Sequence, residues 1–172
     1  MLESIRIAFF KNALRALSSK QRKRKLYTTQ SAQTIGLLFD ATAEKDWKVL
    51  SAFGKLLEKD GKKVQLLGFF QAKQTPETLG FEGFSLKETD WTRKPKSEKV
   101  DRFVKAPLDL LICYNPANLP TLAWVALAAN AAMKIGTAGQ FTNDFDLQLE
   151  IPENKGPQYF IEQMHLYLAK LS

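Results

Sequence analysis

The chain holds one cysteine and one histidine among its 172 residues, and the scarcity of both narrows its chemistry at once. Cys113 has no partner for an internal disulfide and lies in an apolar run, so it reads as a buried, reduced thiol in a reducing compartment. His165 flanks the apolar stripe of a C-terminal helical segment and reads as a partly exposed helical residue. With both taken as structural, no nucleophilic triad and no metal site can be assembled from them. Glycine is missing where phosphate chemistry would need it. A phosphate-cradling loop requires closely spaced glycines before a helix, so that backbone N–H groups can approach the anion. The turns Asp40-Ala41-Thr42-Ala43 and Tyr114-Asn115-Pro116-Ala117-Asn118 contain none, which excludes a dinucleotide fingerprint or a Walker loop there. No cofactor is expected.

Long apolar runs are lacking too. A spanning helix needs about 20 apolar residues. The longest stretch, Leu119–Met133, is shorter and is broken by Pro120, Thr121 and Asn130, so no transmembrane segment is expected. Ile7–Phe10 is too short for the core of a secretory signal. The amphipathic, basic, acid-poor N-terminus also has the composition of an organellar transit peptide.

What the chain does have is segregated charge. Its formal net charge is +7. Residues 1–25 carry eight basic residues against Glu3, while the rest is balanced with seventeen of each sign. The expected organisation is a basic amphipathic arm over residues 1–30 and a single α/β domain over 31–172. Residues 2–20 read as a helix. Leu2, Phe9, Phe10, Ala13, Leu14, Ala16 and Leu17 form a broad apolar face opposite Ser4, Lys11, Arg15 and Ser18. The run Lys20, Arg22, Lys23, Arg24 and Lys25 follows as a basic patch. Such a patch suits phosphates on nucleic acid or an anionic membrane surface, and the apolar face suits an interfacial helix. The competing reading packs that face on the domain and leaves the charges solvated. No aromatic residue interleaves Arg22–Lys25, so a stacking surface for single-stranded nucleic acid has little support. The wide face also suits a homodimer.

The body alternates strand and helix. Thr34–Phe39, Val64–Phe70 and Leu108–Tyr114 read as strands, the third buried on both faces as in a parallel sheet. Lys134–Thr137 reads as a short strand and Phe145–Ile151 as the last. Thr42 is the expected cap of a helix from about Ala43 to Asp60, and Gly61 stops it. Asn118 is the expected cap of a helix running to about Lys134, with Pro120 in its first turn. A final helix opens at Gly156-Pro157. The long segment Gln71–Lys105 is expected to contain a short strand or turn near Phe81–Leu86 and a helical turn near Ser97–Val104. These elements imply a Rossmann-like open, mostly parallel sheet of about five strands with helices on both faces, preceded by the N-terminal helix.

Ligands in open α/β sheets bind outside the carboxyl ends of the strands. The candidates there are Asp40 and Thr42 after the first strand, Asn115 and Asn118 after the third, and Thr137 after the fourth. Asp40 could receive a hydroxyl or an amine, and Asn115 offers donor and acceptor together. Thr42 and Asn118 have the plainer role of helix caps. Asp144 and Asp146 share one face of a strand entrance and read as solvated carboxylates, not a cation site.

The run Thr34-Ile35-Gly36-Leu37-Leu38-Phe39-Asp40, the later Phe103-Val104-Lys105-Ala106-Pro107-Leu108-Asp109-Leu110-Leu111-Ile112 and the preceding basic arm together resemble a family of small uncharacterised bacterial proteins. That likeness covers most of the chain and implies no activity. Leu108–Gly136, a strand, a loop, an alanine-rich helix and Lys134-Ile135-Gly136, is similar to a stretch in the N-terminal half of heptosyltransferase-like glycosyltransferases. The resemblance implies an α/β half-domain, and the matching stretch brings no catalytic motif. The expectation is therefore a non-enzymatic binding or accessory domain, cytoplasmic and peripheral at the inner membrane surface through its arm. The alternatives are a degenerate glycosyltransferase-like or nucleotide-binding enzyme domain, and a nucleic-acid-binding protein.

Overall fold

The computed structural model describes residues 1–18, 22–141 and 144–171. Its elements in chain order are helix α1 (Leu2–Ser18), β1 (Thr34–Asp40), α2 (Glu44–Lys59), β2 (Lys63–Phe70), β3 (Glu82–Ser85), α3 (Glu98–Lys105), β4 (Leu108–Tyr114), α4 (Pro120–Ala128), β5 (Ala131–Thr137), β6 (Leu147–Leu149) and α5 (Pro157–Leu171). The strands form one six-stranded sheet in the order β3-β2-β1-β4-β5-β6. Every neighbouring pair is parallel. β1 and β4 are buried along almost their whole length, as near-continuous apolar runs in a sheet covered on both faces must be.

Strand alternation sends successive side chains to opposite faces, and each face has its own helices. Leu37, Phe39, Leu110 and Ile112 meet Leu50 and Phe53 of α2 and Phe160 and Met164 of α5. Leu38, Leu67, Leu111 and Cys113 meet Val100 and Phe103 of α3 and Leu122 and Val125 of α4. Each such side chain contributes roughly 1.5–3 kcal/mol when taken out of water. Gly61 ends α2 in a left-handed conformation, with φ of 83°, and the Lys62 N–H closes the helix on the Leu57 carbonyl at 3.1 Å. A β-branched residue at position 61 would strain that stop. α1 lies against α4 through Phe10 and Leu14, both buried, and the Phe10 ring meets Phe141 edge to face at 5.4 Å.

Several expectations need correction. The sheet has six strands rather than five and is wholly parallel. The sixth is β3, the short strand expected near Phe81–Leu86, which pairs with β2 at the sheet edge. α4 stops at Ala128 instead of running to about Lys134, because Ala129 turns extended at ψ of 141°. β5 therefore begins at Ala131, and Lys134 is a strand residue turned inward. Thr42 and Asn118 are not caps. α2 starts after Ala43 and α4 after Leu119, without side-chain caps. Asn118 instead occupies a left-handed turn with φ of 55°, which asparagine tolerates. The final strand shortens to three residues. α3 matches the expected turn near Ser97–Val104. Positions 19 and 20, expected to extend α1, lie outside the described residues.

Candidate functional site

The strand order reverses between β1 and β4, and in open α/β sheets that reversal opens a crevice at the carboxyl ends of the strands. Most of the polar side chains expected to serve a ligand there hold the loops together instead. Asn115 is only 8% exposed. Its Nδ2 donates to the Leu119 carbonyl at 3.0 Å, its Oδ1 accepts the Leu119 N–H at 2.8 Å, and its backbone N–H donates to Thr137 Oγ1 at 2.9 Å. Asn118 Oδ1 accepts the Gln140 N–H at 3.1 Å, and Thr42 Oγ1 accepts the Gln71 N–H at 3.0 Å. These bonds fasten the β4–α4 turn to β5 and the β1–α2 turn to the end of β2.

Asp40 differs. One oxygen accepts the Thr42 N–H at 3.0 Å, and the residue is half-buried at the carboxyl end of β1. Beside it stand two groups with no motif in the sequence, Asp46 from the first turn of α2 and Tyr114 at the end of β4. Burial raises the Asp46 carboxyl above its ordinary value, Lys45 counters this, and the charge of Asp40 adds to the rise. Burial and then the charges of Asp46 and Asp40 push the Tyr114 hydroxyl upward, so it stays protonated. The Tyr114 ring packs on Phe160 of α5 at 5.5 Å.

The basic patch is divided. Arg22 donates to Asp144 Oδ2 from Nε at 3.3 Å, to Asp146 Oδ2 at 2.8 Å and to the Ala132 carbonyl at 2.9 Å. Arg24 reaches Asp146 Oδ1 at 2.9 Å and Asp144 Oδ1 at 3.1 Å. Lys134, 1% exposed, completes the cluster with 3.0 Å contacts from Nζ to Asp144 Oδ2 and to the Leu127 carbonyl. Desolvation lowers the Lys134 ammonium pKa, and Asp144 opposes that shift. The two aspartates that read as solvated carboxylates are thus the anchor of the arm. Their arginine partners lie about 120 positions away in sequence, and no local pattern announces them. Lys23 and Lys25 remain exposed, Lys25 with its ammonium 5.1 Å from the Tyr27 ring centre. Lys20 lies outside the described residues.

α1 buries one apolar flank and leaves another open. Leu2, Ile5 and Phe9 recur at helical spacing and are exposed. The open flank continues onto the body, where Trp91, 56% exposed, meets Phe9 edge to face at 5.5 Å. Exposed Lys11 and Arg15 lie on the polar side. Elsewhere, a groove of about 820 Å³ runs between α2 and α5, and a cavity of about 530 Å³ lies under the arm beside Arg22 and Lys134. Burial pushes the Cys113 thiol up to about 12, which removes it as a nucleophile at neutral pH. His165 is exposed on α5 against the Phe53 ring, and partial burial lowers its pKa. Among the described residues no group of histidine, cysteine or carboxylate side chains could hold a metal ion, and no helix is long and apolar enough to cross a membrane.

The fold and the strand ends define an α/β domain with the strand order of dinucleotide-binding sheets and no glycine loop for the phosphates. Residues 6–171 match a family of unknown function, DUF6913, and the chain belongs to it. No curated protein and no solved structure matches the chain.

Proposed function

We propose that the protein is a non-enzymatic accessory domain that docks on anionic lipid surfaces through α1 and Trp91. One observation carries this reading: the continuous open apolar flank Leu2–Ile5–Phe9–Trp91, borne by an arm whose charge is almost wholly positive, on a body whose charge is balanced. Apolar side chains enter the acyl boundary while Lys11, Lys23 and Lys25 meet lipid phosphates, each basic residue contributing about 1 kcal/mol near an anionic surface. An exposed Trp beside an exposed Phe suits the headgroup region, where one side of a ring is apolar and the other wet. Arg22 and Arg24 serve to fix the arm's direction, since their donors go to Asp144 and Asp146.

The test is co-sedimentation of the full chain with phosphatidylserine-rich vesicles, with phosphatidylcholine vesicles and with RNA, at low and high salt. Binding to the anionic vesicles is expected, with little to the neutral ones. Phe9→Ser is expected to weaken it at least tenfold, since a buried Phe contributes about 1.5–3 kcal/mol and 1.4 kcal/mol is a factor of ten. Preferential binding to RNA would favour the nucleic-acid reading instead, and binding to neither would leave α1 a structural cover for α4.

A further inference from the structure

One edge of the sheet is finished only along the carboxyl half of β2. In a parallel ladder, alternate residues turn their N–H and C=O groups to opposite neighbours. The Lys63 N–H donates to the Gln33 carbonyl at 2.9 Å, and the Phe69 carbonyl accepts the Ala41 N–H at 2.8 Å, so the odd-numbered residues of β2 face β1. Val64, Leu66, Gly68 and Phe70 therefore face the other way. β3 begins at Glu82, opposite Leu67, and pairs only with the carboxyl half of β2. Gly80, with φ of 71°, turns the chain just before it. The Val64 N–H and C=O and the Leu66 N–H are left without a partner among the described residues. Beside β3 the edge is guarded: the Lys99 ammonium donates to the Gly83 carbonyl at 2.7 Å, and the Ser85 N–H donates to Glu88 Oε2 at 2.9 Å. The open stretch of β2 has no such guard. It lies in a groove of about 500 Å³ between α2 and α3. Val64 and Leu66 send their side chains to the α2 wall, beside Glu58. Gln65 and Leu67 send theirs to the α3 wall, beside Lys99, Arg102 and Phe103. Lys55 lies one turn before Glu58, Lys105 one turn after Arg102, and Lys63 opens β2. All three are exposed and take no ion pair among the described residues. The acids there, Glu58, Glu82 and Glu98, are fewer than the basic residues, and Glu82 is taken by Arg102 at 3.2 Å.

We propose that this groove binds an acidic peptide in extended conformation, which adds to the sheet beside β2, in line with β3. An extended chain repeats its N–H and C=O groups at the spacing of the open β2 groups, and an unpaired strand edge is a template for it. About four residues of the peptide lie along residues 63–66, at roughly 3.3 Å each. Their side chains alternate between the two walls, where carboxylates meet Lys55 on one side and Lys63, Lys99 and Lys105 on the other. No residue of α1 lines the groove, so peptide binding and lipid docking stand or fall separately.

The test is amide-resolved NMR of the full chain, alone and with three capped hexapeptides: one alternating valine and glutamate, one alternating valine and lysine, and the first with its backbone nitrogens methylated. In the free chain the Val64 and Leu66 amides are expected to exchange with solvent at least tenfold faster than those of Gly68 and Phe70. At saturation the acidic peptide should slow them at least tenfold, with shifts at residues 63–66, Lys99 and Arg102. The basic and the methylated peptides should bind at least fivefold more weakly. Lys55→Glu combined with Lys105→Glu, two exposed positions, should raise the Kd of the acidic peptide at least fivefold. Val64→Pro, with its thermal midpoint checked for an intact fold, should abolish the protection at Leu66. The proposal is overturned if the two amides are already as protected as Gly68 and Phe70, if the acidic peptide leaves them unchanged, or if the basic peptide binds as tightly. Protection that grows with protein concentration alone would assign the edge to a second copy of the chain and overturns it too.

Discussion

Removing Asp144 should cost far more stability than removing Lys134, although the two form one contact. Lys134 is buried at 1% exposure, 3.0 Å from Asp144, and Arg22 leans on the same carboxylate. Asp144→Ala takes the partner from a buried ammonium and from a largely buried guanidinium at once. Stranding one buried charge costs about 3–5 kcal/mol. Asp146 still holds Arg22 at 2.8 Å, which keeps the expected loss near the lower end, about 3 kcal/mol. Lys134→Met leaves Asp144 bound by both arginines and refills the space of the lysine stem with an apolar chain. The hydrogen bonds from Nζ to the Leu127 carbonyl and to Asp144 are lost together with the buried charge itself, so the cost should stay within about 1 kcal/mol. Urea unfolding followed by circular dichroism reads both. With a slope of about 2 kcal/mol per molar urea, Asp144→Ala should lower the midpoint by about 1.5 M and Lys134→Met by no more than about 0.5 M. Equal shifts in the two variants, or a loss under about 1 kcal/mol for Asp144→Ala, would refute the assignment of this cluster as the anchor of the arm.

Further outcomes are expected. Burial lowers the Lys134 ammonium pKa in the folded state, so the unfolded chain binds the extra proton between that lowered value and 10.5. Stability from this group should therefore rise with pH through that window, and the rise should be absent from Lys134→Met in urea titrations at stepped pH. Burial alone would raise the Asp109 carboxyl, but hydrogen bonds from the Gln33 and Thr34 N–H groups outweigh it and hold it below 3.8. Its stabilisation is present above 3.8 and is lost as pH falls through the folded value, so Asp109→Ala should cost about 1 kcal/mol at pH 7 and progressively less as the pH falls below 3.8. Gly136→Ala should destabilise by about 1–3 kcal/mol in the same assay, because its Cβ would collide with the Phe145 ring and press on the Cys113 carbonyl. Cys113 should react with an aromatic disulfide reagent only at the rate of global unfolding.

The sheet was legible in the sequence because its strands are apolar runs set between helical patterns, and periodicity reports burial directly. The short strand β3 and helix α3 inside Gln71–Lys105 were legible from the same cues. The boundary between α4 and β5 was not. Leu119–Lys134 is apolar nearly all round, which erases the period, and the buried Lys134 looks like a helix end until Asp144 is seen beside it. The strand-end positions of Asp40, Asn115 and Thr137 follow from the order of the elements in the sequence. Their roles depend on bonds such as that between Asn115 and Thr137, which join positions 22 apart in sequence. Asp46 and Tyr114 escaped notice because one reads as an ordinary acid in a first turn and the other as the end of an apolar strand. The charge of the arm was legible as a number. Its division into two anchoring arginines and exposed lysines was not, because Asp144 and Asp146 meet them only in three dimensions.

The most direct test of lipid docking is quenching of tryptophan fluorescence by phosphatidylserine-rich vesicles whose acyl chains carry bromine. Trp91 is exposed beside Phe9, whereas Trp47 and Trp124 are half-buried in the body. Strong quenching is expected in the native chain and should largely disappear in Trp91→Phe. Quenching that is absent, or that survives unchanged in Trp91→Phe, would contradict insertion of the α1–Trp91 flank into a lipid surface.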